Sequence, residues 1–125
     1  MARILVIDDD SDTRAMLEQT LKPAGYEVIS AADGTEGVMR HRTSPAELVI
    51  TNLYLPRQDG LKTIRELRTR FPGVAVIAMS GKPDSGTMLS IAQNLAAVEV
   101  LRKPFVADEL IAAVEKALGR LSLAQ

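Results

Sequence analysis

Four apolar runs in this chain end on polar residues that could do chemistry. "RILVI" (3–7) ends on Asp8, Asp9 and Asp10, "LVIT" on Asn52, "VAVIAM" on Ser80-Gly81 and "VEVLR" on Lys103-Pro104. Adjacent carboxylates repel one another, and a cluster of them favours a cation. Mg²⁺ suits such a cluster, because it takes hard oxygen ligands, keeps several waters and needs only one or two carboxylates. Asp8 and Asp9 follow their apolar run directly and are the metal candidates. Asp10 and Asp12 read instead as residues that stabilise a helix start by capping and by the helix dipole. Lys103 is a point charge for a phosphoryl group or for the acids, or a surface side chain that snorkels. Ser80 offers a hydroxyl to an anion, or simply turns the chain. Asn52 is the odd member, since an amide is a poor nucleophile and a weak metal ligand.

Three sharper motifs do not fit these acids. A calcium loop starting at Asp8 would need glycine at position 13 and glutamate at position 19, where the chain has Thr13 and Gln19. A D-x-D-x-T phosphatase motif would need threonine at position 12, which is Asp12. A flavin phosphate loop after the first run would meet three acids that repel a phosphate.

The elements that must position these residues alternate along the chain. Runs of continuous rather than alternating apolarity predict strands buried on both faces, as in a parallel sheet. They fall at 3–7, 26–31, 47–52, 74–80 and 98–102. Between and after them, apolar residues at helical spacing predict helices at 11–25, 33–42, 59–73, 87–96 and 107–121. The first opens on Ser11 or Asp12 and closes on Gly25; the third stops at Pro72-Gly73. Five strands alternating with five helices predict an α/β, doubly wound parallel sheet with helices on both faces. In such sheets the ligand site lies beyond the carboxyl ends of the strands, which is where the polar residues fall.

Composition narrows the function. The chain has 125 residues, 46% apolar and 25% charged, which suits one soluble domain over residues 1–125. A net charge of −1 gives no overall field for nucleic acid or anionic membrane. Arg65, Arg68 and Arg70 are interleaved with apolar residues and read as a solvated helix face. His41, between Arg40 and Arg42, also reads as exposed. The chain contains no cysteine, so disulfides, thiolate metal sites and thiol catalysis are excluded. The first residues already read as strand, leaving no room for an upstream domain. No run resembles a signal peptide or a membrane span, so a cytoplasmic protein is expected.

Taken together, "ILVIDDD", "LVITNLYLPRQDG", "VIAMSG" and "VLRKPF" resemble the receiver (CheY-like) domains of bacterial two-component response regulators, over essentially the whole chain. The resemblance implies a flavodoxin-like sheet with strand order 2-1-3-4-5. It implies that a sensor histidine kinase or phosphotransfer protein passes a phosphoryl group to the residue ending the third strand, here Asn52. It implies Mg²⁺ held by Asp8 and Asp9, by the residue at position 52 and by the backbone carbonyl of Tyr54. Ser80 and Lys103 would contact the phosphoryl oxygens. A protein target would read the face built from the helix at 87–96, the strand at 98–102 and the last helix. Lys103-Pro104 resembles a peptide that is often cis in this family. Pro56, Asp59 and Gly60 fit the loop after the acceptor strand. Direct nucleic-acid or membrane binding is not implied, and homodimerisation through the last helices stays open.

Three positions depart from the family pattern. Asn52 stands where an aspartate is expected, Val100 where an aromatic often swings inward, and Ala96 where a helix-ending glycine is common. A neutral amide should not form an acyl phosphate and should weaken Mg²⁺ binding. Thr51 is a stand-in acceptor only on paper, since strand alternation points it away from the pocket. Asn52 reads either as a natural feature of a pseudo-receiver that signals by binding or as an introduced substitution. The rival readings are a small Mg²⁺-dependent phosphatase using Asp8 as nucleophile and an interaction domain with no ligand.

Overall fold

In the computed structural model of the chain, residues 2–55, 59–81 and 99–123 are described. Strands β1 (Arg3–Ile7), β2 (Glu27–Ala31), β3 (Leu48–Asn52), β4 (Ala75–Ser80) and β5 (Glu99–Arg102) form one sheet of order β2-β1-β3-β4-β5. All neighbouring pairs are parallel. Helices α1 (Ser11–Leu21), α2 (Gly34–Thr43), α3 (Gly60–Arg70) and α4 (Ala107–Leu123) cover it. This is the predicted flavodoxin-like, doubly wound arrangement. The helix predicted at 87–96, including Ala96, and the loop residue Pro56 lie outside the described residues.

Strand composition follows strand position. Every residue of β3 and β4 is buried, and β1 is buried after its first residue. These are the most continuous β-branched and aliphatic runs, as burial on both faces requires. The edge strands β2 and β5 keep half-exposed positions. Alternation divides the core in two. Ile4, Val6, Leu48 and Ile50 face Leu17 of α1 and Val114 of α4. Leu5, Ile7, Val49 and Val76 face Val38 of α2 and Ile64 of α3. Each of these fully buried aliphatic side chains contributes about 1.5–3 kcal/mol of transfer free energy.

Local signals set where the helices begin and end. Asp10, not Ser11 or Asp12, caps α1, accepting the Asp12 N–H at 3.0 Å. Asp33 and Asp59 cap α2 and α3 in the same way. Helix α1 ends at Leu21 rather than running to Gly25, because Pro23 has no N–H to continue the ladder. The chain then turns through Gly25 at φ 101, a left-handed conformation that glycine adopts without strain.

His41 is buried, which corrects the expectation of an exposed ring. Gly34, Gly37, Val38 and His41 are the buried residues of α2 and fall on one inward stripe, while Arg40 and Arg42 point outward. The His41 Nδ1 accepts the Ala46 N–H at 3.2 Å. Its ring meets Phe71 edge-on, with centroids 4.5 Å apart and planes at 77°. An accepting Nδ1 requires the neutral ring with its proton on Nε2. Burial pushes the His41 pKa below the usual 6.5. Below about pH 6.5 the unfolded chain takes up a proton that the folded ring resists. Stability is therefore expected to fall as pH drops from 7 to 5. His41→Asn, which keeps an acceptor for the Ala46 N–H but does not titrate, is expected to flatten that part of the profile. Urea unfolding midpoints measured across the range check this; identical pH slopes in the two proteins would count against it.

Candidate functional site at the strand ends

Register brings the polar strand ends together. Ile7 of β1 pairs with Thr51 of β3, so Asp8 follows β1 beside Asn52. Asn52 in turn pairs with Met79 of β4, and Ser80 with Arg102 of β5, one residue before Lys103. Asn52, Tyr54, Gly81 and Lys103 line a cleft of about 230 Å³.

Asp8 is wholly buried, and its groups are all engaged. Its Oδ2 lies 2.7 Å from the Lys103 Nζ, and its Oδ1 accepts the Asp10 N–H at 2.9 Å. Its carbonyl accepts the Arg14 guanidinium at 2.6 Å, and its own N–H donates to the Ala31 carbonyl at 3.1 Å. Asp9, the next residue, is exposed. Asp10 accepts from the Asp12 N–H and, at 3.1 Å, from the Thr13 hydroxyl. These two bonds, the backbone one first, hold its carboxyl below the usual 3.8. Asp10 thus acts as a cap, as its position suggested. Asp12 lies in the first turn, where a negative charge suits the helix dipole.

Asn52 is 9% exposed and turns its amide back on its own chain, with Nδ2 donating to the Tyr54 carbonyl at 3.0 Å. Thr51 is buried on the other side of β3, and its hydroxyl donates to the Asn52 carbonyl at 3.1 Å. Two contacts fix the chain after Asn52. The Leu53 N–H donates to the Met79 carbonyl at 2.9 Å, extending the sheet by one bond, and the Gly60 N–H donates to the Leu53 carbonyl at 3.0 Å. A Cβ at Gly60 would collide with the Asn52 carbonyl oxygen and the Leu53 backbone. Only glycine lets the start of α3 sit this close to the end of β3.

Ser80 is fully buried at the end of β4, and its carbonyl accepts the Lys103 N–H at 2.9 Å. Gly81 leaves room for the Lys103 side chain, as a Cβ there would lie 3.1 Å from the Lys103 Cβ. The Lys103-Pro104 peptide is cis. Lys103 keeps a quarter of its side chain exposed and so faces both Asp8 and the cleft. Val100 is half-buried against the α2/α3 side of the core.

The structure therefore brings Asp8, Asn52, Tyr54 and Lys103 to one place, with Ser80 buried at the neighbouring strand end and Asp9 exposed beside Asp8 in the chain. Arg14 and Gly60 also belong to this site. Arg14 escaped sequence reading because its role is to hold a backbone carbonyl. Gly60 was legible only as part of a loop. The donor set is made of hard oxygens, as Mg²⁺ prefers. Among the described residues no group of three His, Cys, Asp or Glu side chains could hold a metal ion.

Known proteins share this fold. The family described as "Response regulator receiver domain" matches residues 4–115. The transcriptional regulatory protein PrrA of Mycobacterium tuberculosis is 33% identical over 118 residues, covering 94% of this chain and 50% of its own length. The chain spans about half the length of the first curated relatives it matches. A response regulator receiver domain protein from Clostridium thermocellum superposes with a TM-score of 0.91 at 33% identity, with all of both chains covered. NtrX from Brucella abortus gives a TM-score of 0.92 at 32% identity, over 98% of this chain and 28% of that one. The sheet order, the cluster at the strand ends and the match over residues 4–115 lead to one assignment: the chain belongs to the response regulator receiver domain family, the CheY-like signalling modules of two-component systems.

Proposed function

We propose that this chain is a receiver domain that does not take up a phosphoryl group and signals by binding. The observation that carries this reading is Asn52, seated at the end of β3 in the cleft that Lys103 lines. A phosphoacceptor needs a carboxylate oxygen with charge to share, and the amide has none. Its nitrogen is also committed to the Tyr54 carbonyl. Ser80 and Lys103 are the groups that would contact phosphoryl oxygens, the first by its hydroxyl and the second by its charge. Asp8, Asp9 and the Tyr54 carbonyl would hold Mg²⁺, which when bound neutralises negative charge at such a site. At the fourth position of that set Asn52 adds no charge, so the metal is weakly held.

The partners in this reading are a sensor histidine kinase or phosphotransfer protein, meeting α1, and a downstream protein target on the side of β5 and α4. A hollow of about 370 Å³ lined by Thr13, Met16, Gly81, Lys103, Pro104 and Phe105 adjoins the cleft on the α1 side and supports the first contact. The domain itself makes no direct contact with nucleic acid, and we place it in the cytoplasm. Among the described residues no helix is long and apolar enough to cross a membrane. The engagement of both Asp8 oxygens argues against the rival phosphatase, whose nucleophile would be buried and ion-paired.

Incubation with acetyl phosphate and Mg²⁺, followed by intact-mass measurement, tests the proposal. No adduct is expected. A labile phosphate adduct mapped to Asn52 would overturn it. Phosphatase turnover abolished by Asp8→Asn would favour the rival.

A further inference from the structure

The hydrogen bond between Asn52 and Tyr54 has chemical content of its own. A backbone carbonyl only accepts, so the amide atom 3.0 Å from the Tyr54 oxygen must be the nitrogen, with its protons toward that oxygen. With aspartate at position 52, two oxygens would face one another there, and only a cation or water between them would relieve the repulsion. The amide supplies the positive end itself. The same replacement appears across the site, where the Lys103 ammonium sits on the Asp8 Oδ2 at 2.7 Å. Both oxygens that a divalent ion would draw together are already met by protein N–H groups.

We propose that Asn52 is a built-in substitute for the cation: its amide N–H occupies the Tyr54 carbonyl, holds the turn after β3 closed without metal, and excludes Mg²⁺ from that oxygen. The inference rests on the reading of Asp8, Asp9 and Tyr54 as the metal-binding set. Asn52 then opposes the metal instead of serving as its weak ligand. The Asn52 carbonyl and the Leu53 backbone, pressed against Gly60, leave the turn little freedom to re-aim the amide.

Mg²⁺ titration of the wild type, Asn52→Ala and Asn52→Asp by calorimetry, with NMR of the Asn52 side-chain amide, tests this. Asn52→Ala removes the blocking donor and is expected to bind Mg²⁺ about fivefold more tightly than the wild type, the fold-change of one net hydrogen bond. If the amide oxygen were a ligand, Asn52→Ala would bind more weakly. An affinity no tighter than wild type overturns the inference. In the metal-free wild type, one Asn52 side-chain proton is expected to exchange slowly with solvent. Fast exchange of both protons also overturns it, even if the alanine variant does not fold. Asn52→Asp is expected to bind most tightly. Its failure to bind would overturn the metal-site reading itself, and the inference with it.

Discussion

Asn52→Asp is expected to make the chain a phosphoacceptor. With acetyl phosphate and Mg²⁺, the wild type should show no adduct and the variant a labile one mapped to position 52. The side chain changes little in shape, so the fold and the cleft beside Lys103 should be retained. The new oxygen attacks phosphorus, the acetate of the donor leaves, and an acyl phosphate remains. Lys103 lines the cleft beside position 52 and Ser80 ends the neighbouring strand; in the proposed reading these two meet the incoming oxygens. The variant also carries a cost. A third carboxylate beside Asp8 and Asp9, facing the Tyr54 carbonyl without an amide proton between, should lower metal-free stability by on the order of 1 kcal/mol. Mg²⁺ should restore that loss, because it binds only the folded state. An unlabelled Asn52→Asp protein that is folded and binds Mg²⁺ would show that position 52 is not the missing element.

Lys103→Ala should produce the largest loss of stability in the site. It strands the Asp8 carboxylate, whose side chain is 1% exposed, without its cation. Breaking a buried ion pair from one side costs about 3 kcal/mol, at the low end of the usual range here because Lys103 is partly in water. Removing both charges, as Asp8→Asn with Lys103→Ala, should recover most of the loss. The single and double variants thus form a cycle that isolates the coupling. Urea unfolding at pH 7 reads it as a shift in midpoint at unchanged slope. A loss in Lys103→Ala below about 1 kcal/mol, the value of an exposed pair, would mean that water or a rearranged neighbour neutralises Asp8.

Much of this was legible in the sequence. Continuous aliphatic runs marked the three central strands within a residue of their observed limits, because burial on both faces confines polar residues to the strand ends. The polar residues at the strand ends stood out against those runs, and the parallel topology brought their ends into one cleft. Other features depend on contacts between distant segments. His41 looked solvated beside two arginines, yet its place on the Gly34–Val38 stripe turned it inward onto Phe71. Gly25 looked like a helix end, but Pro23 stopped α1 earlier. The family resemblance implied the Tyr54 carbonyl as a metal ligand, but nothing in the sequence pointed to the Asn52 amide donating to it. Backbone groups have no letter in a sequence, so their partners emerge only from the fold.

The bond from the Leu53 N–H to the Met79 carbonyl has a consequence for how the molecule ages. Asparagine turns slowly into aspartate when the nitrogen of the next residue attacks the side-chain carbonyl carbon, closing a cyclic imide and expelling ammonia. At Asn52 that nitrogen belongs to Leu53, which is wholly buried and tethered in the sheet. Attack would require the last bond between β3 and β4 to break first. Spontaneous deamidation at this position is therefore suppressed, and an old preparation should remain as unreactive toward acetyl phosphate as a fresh one.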